Sequence, residues 1–312
     1  MKKVVFFGGG TGAFTVLSGL KKHPIELTAI VTMADDGGSA GILREEFGVL
    51  PPGDIRRALL ALSETDNEVL LPLFNYRFKE GAGLNGHNFG NLMLTALERI
   101  TGNLPTAIKE AEKILSVKGA VVPVTLYKSK LFAGLDDGQV IKGETNIDIP
   151  KHDGRIKIKK VWLKPKSYIN PVAERAIASA EAIIIGPGDL YTSIIPNLLV
   201  IGVTEAIKKS KAKKIYIVNV MTKFGETNNF SAGDFITEIN NYLGDNILDY
   251  ALVNSKLPSY WRMRNYILER ASAVQIEGLP EKPSPVFGDF LRTRGFVRHD
   301  SDKLARVIVS LI

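Results

Sequence analysis

The chain opens with a near-continuous apolar run, "KKVVFF", then a stretch whose apolar residues recur at helical spacing, "AFTVLSGLKKH", then a second apolar run, "ELTAIVTM". This pattern predicts a strand, a helix and a strand. Neither run alternates strictly, so both strands are expected to be buried on two faces, as in a parallel sheet covered by helices on either side. Pro51 and Pro52 precede the helical period of "PPGDIRRALLALSE", and "HNFGNLMLTALERI" predicts a further helix.

From about Val121 to Leu163 the texture changes to short alternating runs separated by turn pairs such as Asp137-Gly138 and Asp153-Gly154. Such spacing predicts antiparallel hairpins, and a small β-rich insertion is placed at residues 121–165. The strand and helix alternation then resumes: "PVAERAIASA" as helix, "EAIIIGPGD" as a strand entering a glycine turn, "TSIIPNLLVIGVTEAIKKS" as helix and "KKIYIVNVM" as strand. Ser231 with Asp234 three residues on predicts a capped helix start, "DYALVNS" another buried strand, and "SDKLARVIVSLI" an amphipathic helix. The expected fold class is α/β, a doubly wound, mostly parallel Rossmann-like sheet forming one domain over residues 1–312. In such folds ligands sit beyond the carboxyl ends of the strands, which directs attention to the turns there.

Composition adds exclusions. With 45% hydrophobic and 23% charged residues the chain is ordinary globular material, and with no cysteine it has neither disulfides nor thiolate chemistry. The apolar part of "MKKVVFFGGG" is too short for a signal peptide, and no stretch approaches the ~18 apolar residues of a membrane span, so a cytoplasmic protein without membrane insertion is expected. The formal charge is +7, but the basic residues are dispersed. Their densest run, "RIKIKKVWLK", alternates as a half-buried strand does, so a solvated face is expected there and no nucleic-acid partner.

Five candidate turns remain. Gly8, Gly10 and Ala13 satisfy G-x-G-x-x-G/A between a strand and a helix, and with Gly9, Thr11 and Gly12 they form a turn suited to the close approach of a diphosphate at a helix N-terminus. The second strand runs into "MADDGGSAG" instead of the single acidic residue that a dinucleotide dehydrogenase uses. There Asp35 and Asp36 can grip a ribose, hold Mg2+ through oxygen ligands or simply turn the chain, and Mg2+ is the one cofactor candidate. "PPGDIRRAL" sets Gly53 and Asp54 at a helix start with Arg56 and Arg57 behind them, where a bound anion would offset cations that oppose the helix dipole. "GLNGHNFGNLML" supplies Asn85, His87, Asn88 and Asn91, with His87 read as a hydrogen-bonding residue. In "IIIGPGDLYTS", Gly186 and Gly188 free the backbone, Asp189 offers a carboxylate, and Thr192 or Ser193 can cap the next helix.

Together and in order, "GGGTG", "ADDGGSAG", "PPGDIRRAL", "GHNFGN", "GPGDLYTS" and "VNVMTKFGET" resemble the superfamily of 2-phospho-L-lactate transferase and the bacterial gluconeogenesis factors of the YvcK type, over nearly the whole chain. "LPPGDIRRALLALSE", "VNVMTKFGETNNFSAGD" and "VRHD" look closer to the gluconeogenesis-factor branch. That resemblance implies a cytoplasmic protein that binds UDP-N-acetylglucosamine and is needed for growth and cell shape on gluconeogenic carbon, with no reaction established for the branch. It also implies nucleotide-sugar contacts at Tyr266 in "RNYILERA" and Arg298 in "VRHD". On this reading the diphosphate lies over the Gly8–Gly12 turn, the loop with Asp36 together with Asn88 frames the ribose or phosphate, and Tyr266 and Arg298 close over the rest. A regulatory protein partner and a homo-oligomer are compatible with it. The transferase branch implies instead a guanosine diphosphate-linked donor, a deazaflavin acceptor and Mg2+, with Asp35, Asp36 and Asp189 as candidate contacts. A nicotinamide-dependent dehydrogenase is the remaining alternative, carried by the glycine turn alone.

Overall fold

A computed structural model describes residues 1–312. Strand β1 (Lys2–Gly8) leads into α1 (Gly10–Leu20) and β2 (Ile25–Val31); α2 (Gly38–Phe47), α3 (Gly53–Leu62), α4 (Leu70–Asn75), α5 (Phe89–Thr101) and α6 (Leu104–Ile114) precede β3 (Ala120–Pro123). Next come β4 (Lys130–Leu135), β5 (Val140–Lys142), the short α7 (Glu144–Asp148) and β6 (Ile158–Lys164). The second half runs α8 (Pro171–Ser179), β7 (Ala182–Ile185), a π-helical turn (Leu190–Ile194), α9 (Ile195–Leu198), α10 (Val203–Lys209), β8 (Lys213–Ile217) and α11 (Ala232–Leu243). It ends with β9 (Tyr250–Asn254), α12 (Tyr260–Leu268), β10 (Ser284–Gly288) and α13 (Ser301–Leu311).

Seven strands form one sheet in the order β10-β9-β8-β7-β1-β2-β3, with every neighbouring pair parallel. Successive residues of β1 serve opposite faces. Val5 and Phe7 join one buried cluster with Ile183, Ile185 and Tyr216, whereas Val4 and Phe6 join the other with Leu17, Ile55 and Ile184. Fully burying such side chains contributes about 1.5–3 kcal/mol each, which is why apolar runs without alternation stand at the centre of the sheet. The chain leaves β1 toward β2 and β3 on one side and later fills β7 to β10 on the other. The order therefore reverses between β1 and β7, the topological switch point of a doubly wound fold.

The β-rich segment begins later than its expected boundary at 121. Ala120–Pro123 pairs with β2 as the edge of the main sheet, and only β4, β5 and β6 form the separate three-stranded antiparallel sheet. The Asp137-Gly138 turn joins β4 to β5, with Gly138 at φ 89°. Asp153-Gly154 lies in the loop between α7 and β6 and turns no hairpin. The helical period expected from Thr192 to Ser210 is broken into the π-helical turn, α9 and α10. Ser231 and Asp234 make the reciprocal capping pair at the start of α11. No helix is long and apolar enough to cross a membrane.

Candidate functional site

At the carboxyl end of β1 the expected glycine turn forms, but a protein carboxylate already occupies part of it. The Gly10 amide donates to Asp54 Oδ1 at 2.8 Å, so a side chain from the first turn of α3 sits at the N-terminus of α1. Asp54 is only 8% exposed. Burial raises its pKa against the opposing pull of Arg57 and the Gly10 amide. Two glycines are explained by close approach within the protein. A Cβ at Gly9 would lie 2.6 Å from Asp54 Oδ2, and one at Gly12 would lie 2.0 Å from the Pro187 carbonyl oxygen. The turns after β1 and β7 thus touch through backbone, and any added atom at Gly12 pushes them apart.

Around this contact the surface opens into two joined chambers. The first, of about 560 Å³, is polar and gathers the starts of α1, α2 and α3 with Arg56, Arg57, Arg77, Asn91 and Glu144. The second, of about 720 Å³, has an apolar wall of Met221, Phe224, Ala271 and Val297 with Tyr266 beside them. Both chambers are lined by Thr11, Gly12, Asp148, Gly188, Asp189 and Arg298, so the switch point is their shared threshold.

Charge in the polar chamber is unevenly compensated. Arg56 is 6% exposed and donates to Asn91 Oδ1 at 3.1 Å and Asn75 Oδ1 at 2.8 Å. None of Arg56, Arg57, Arg77 and Arg298 forms an ion pair. Burial, with Arg57 and Arg77 adding repulsion, pushes Arg56 down to about 10. The chamber's acids move the other way. Burial and Asp54 push Asp35 up to about 6, and burial with Asp35 pushes Glu144 up to about 9. With Glu144 raised to about 9 the chamber carries one negative charge fewer at neutral pH, while Asp35 at about 6 keeps its own.

At the threshold, Lys223 gathers three carboxylates. Its ammonium donates to Asp148, lies 2.9 Å from Asp189 Oδ2 and lies 3.0 Å from Glu226 Oε1. Glu226 is buried and also accepts from the Tyr191 amide at 3.1 Å and the Thr192 hydroxyl at 3.2 Å, which fixes the π-helical turn. Burial pushes Glu226 up to about 7 against the pull of Lys223. Burial also works against the lysine's charge, yet Glu226, Asp189 and Asp148 hold it well above its usual value. The three carboxylates are close enough together for a cation, and the lysine already supplies one.

Of the residues singled out in the sequence, Gly9, Gly10, Thr11, Gly12, Gly188, Asp189 and Arg298 line the polar chamber, and Tyr266 lines the apolar one. Gly8 and Gly186 lie behind the lining, at the strand ends. Asn88 is buried as the cap of α5, accepting from the Asn91 amide and donating to the Asn75 carbonyl, and it is Asn91 that reaches the chamber. His87 is likewise a buried hydrogen-bonding residue, 3.3 Å from the Ser39 hydroxyl.

The Asp35 and Asp36 pair does not converge on one point. Asp35 faces the chamber and accepts from the Gly37 amide at 2.9 Å, whereas Asp36 accepts from the Thr145 amide at 2.9 Å and stays outside the lining. Asp35, Asp54 and Glu144 influence one another in the chamber and offer hard oxygen donors of the kind Mg2+ takes, but the carboxylates whose oxygens gather at one point are Asp148, Asp189 and Glu226. Sequence reasoning assigned no role to Arg77, Glu144 or Lys223. Lys223 stood in "VNVMTKFGET", a segment noticed only for its resemblance, and Glu144 and Asp148 carry no local motif.

A parallel, doubly wound sheet with its cleft at the switch point defines the class, a Rossmann-like α/β protein. A family model described as 2-phospho-L-lactate transferase CofD matches residues 4–285. The gluconeogenesis factor of Bacillus subtilis is 44% identical over 317 residues, covering 99% of this chain and 98% of that one. That of Listeria innocua is 42% identical over 317 residues, covering 99% and 95%. A solved Bacillus halodurans protein of the UPF0052 family superposes with a TM-score of 0.93 at 40% identity, over 99% of this chain and all of that one. The chain belongs to the CofD family of 2-phospho-L-lactate transferase, and these relatives within it are gluconeogenesis factors.

Proposed function

We propose that the cleft binds a sugar nucleotide, UDP-N-acetylglucosamine or a close relative, and that the protein is a regulator that responds to it in cells growing on gluconeogenic carbon, with an effect on cell shape. One observation carries the reading: two connected chambers of opposite character meet at a threshold of backbone, Asp148 and Asp189 neutralised by Lys223, and Arg298, which forms no ion pair. The uracil ring stacks in the apolar chamber beside Tyr266 and Phe224. The diphosphate lies across the threshold, where Thr11, the Gly188 backbone and the Arg298 fork face it. The sugar enters the polar chamber, whose arginines, Asn91 and carboxyls offer hydrogen-bonding partners for hydroxyl and acetamido groups. The relatives called gluconeogenesis factors support the physiological half of the proposal.

Calorimetry of the purified protein with UDP-N-acetylglucosamine, UDP-glucose, GDP and NADH tests this reading. Binding of the UDP-sugars that weakens at least about tenfold in Arg298→Ala is expected, since a lost charged hydrogen bond costs about 1.5–3 kcal/mol. No heat with either UDP-sugar would refute the proposal.

A second reading is favoured by Asp35, Asp54 and Glu144 in the polar chamber and by the family's description: a phosphotransferase of the 2-phospho-L-lactate type. Mg2+ held by those carboxyls would neutralise phosphate charge there. Asp35 and Glu144 would anchor it, and Arg57 and Arg298 would orient the donor. Turnover of a guanosine diphosphate-linked phospholactyl donor with a deazaflavin acceptor, lost in Asp35→Asn, would establish this reading in place of the first.

A further inference from the structure

Helix α12 is built inside out. It alone among the helices has no buried residue. The side facing the protein is polar: the Arg262 guanidinium donates to the carbonyls of Gly295, Arg292 and Phe296 at 3.0, 2.8 and 2.7 Å, and the Tyr266 hydroxyl accepts from the Val297 amide at 3.1 Å. The opposite side, spaced as one helical stripe, is apolar. Tyr260 is 70% exposed, Trp261 75%, Ile267 54% and Leu268 84%. Leu257 before the helix and Phe296 beside it are also exposed. Arg264, in the middle of the stripe, lies with its guanidinium over the Trp261 ring at 5.7 Å. An amphipathic helix that turns its wrong face outward is held there by specific hydrogen bonds.

We infer that this stripe docks the protein onto an anionic lipid surface, lying in the interface without crossing it. Three observations select that occupant. Tryptophan, tyrosine and aliphatic tips interleaved with arginine are the mixture that interfacial helices use, rings at headgroup depth and cations at the phosphates. The outward charge is basic: Arg264 stands within the stripe and Arg294 beside Phe296, against the single acid Glu269, while Arg262 faces the protein and Arg298 the cleft. A second copy fits badly, because a two-fold contact along the stripe sets Arg264 against its own image.

Flotation of the intact protein with vesicles tests the inference. Association with mixed phosphatidylglycerol–phosphatidylcholine vesicles is expected, weakening as salt rises, with little association with phosphatidylcholine alone. Trp261→Ser combined with Leu268→Ser, and separately Arg264→Glu, should each reduce bound protein by about tenfold or more. These side chains are exposed and touch only one another, so the melting temperature should be nearly unchanged. Failure to float with anionic vesicles at low salt would overturn the inference and leave an acidic protein face as the occupant. Flotation unaffected by the double substitution would overturn it too. A concentration-dependent dimer in sedimentation that Trp261→Ser abolishes would assign the stripe to a second copy instead.

Discussion

Replacing Lys223 by Met removes the one cation from a group of three carboxylates, and its cost follows from where those carboxylates stand. The Glu226 side chain is 1% exposed and lies 3.0 Å from the ammonium, whereas Asp148 and Asp189 are 30% and 44% exposed and can fall back on water. At an effective dielectric constant near 20, a pair at that distance is attracted by about 5 kcal/mol, and burying both charges offsets much of it. Removing one partner of a buried pair costs about 3–5 kcal/mol because the other charge is stranded. That is a large part of the 5–15 kcal/mol typical of a folded domain.

The cost also has a pH signature. Glu226 is raised from 4.5 to about 7 in the folded state. A raised acid contributes its stability in full below the unfolded value and loses it as pH rises through the folded one. Lys223 is what limits the rise, so in Lys223→Met the loss continues to higher pH. The gap between wild type and variant in unfolding urea concentration should therefore be smaller near pH 5, where Glu226 is protonated in both, than above pH 7. Adding Glu226→Gln should recover most of the loss at high pH, since the amide oxygen can still accept from the Tyr191 amide while its NH2 donates to the Thr192 hydroxyl oxygen. Equal midpoints at both pH values, or no recovery in the double variant, would refute the reasoning.

Gly12→Ala should lower stability by about 3 kcal/mol or more, read as a fall in melting temperature, because the new methyl group would lie 2.0 Å from the Pro187 carbonyl oxygen and neither backbone can yield cheaply. In Asp54→Asn, carbon-detected NMR titration should find Asp35 below its value of about 6, since the repulsion from Asp54 is gone while burial remains. An unchanged Asp35 would place the cause in burial alone. Arg298→Ala should leave the melting temperature of the free protein unchanged, because the side chain is exposed and unpaired, while weakening UDP-sugar binding as above.

The sheet was legible because its strands are buried on both faces and therefore continuously apolar: β1, β2, β7, β8 and β9 all stand where the sequence placed them. β3 was misassigned to the insertion since "AVVP" reads equally well as a hairpin strand, and only its pairing with β2 decides. β10 went unseen because "SPVFG" is short, begins beside a proline and is mostly exposed. In the site, glycines and the residues flanking them could be located because a turn after a strand has a fixed address. Asp54 was noticed without its role, which depends on α3 pointing its first turn at α1. Glu226 lies only three residues from Lys223, but the meetings of Lys223 with Asp148 and Asp189 and of Glu144 with Asp35 span more than 30 residues, and no local pattern encodes them. Asn88 and Asn91 show the finer limit: three positions on one helix end separate a cap from a chamber wall.

The small antiparallel sheet reaches the cleft through α7, whose Glu144, Thr145 and Asp148 form one wall of the polar chamber. The other walls are built from turns of the main sheet, where Gly9 and Gly12 leave no room for change. The cleft is thus closed by two sheets that are built differently yet share one core. Leu131, Ala133 and Val161 of the small sheet pack in the same buried cluster as Val5, Phe7 and Ile185 of the large one. A change in the small sheet's apolar face is therefore felt at the wall that α7 presents to a ligand.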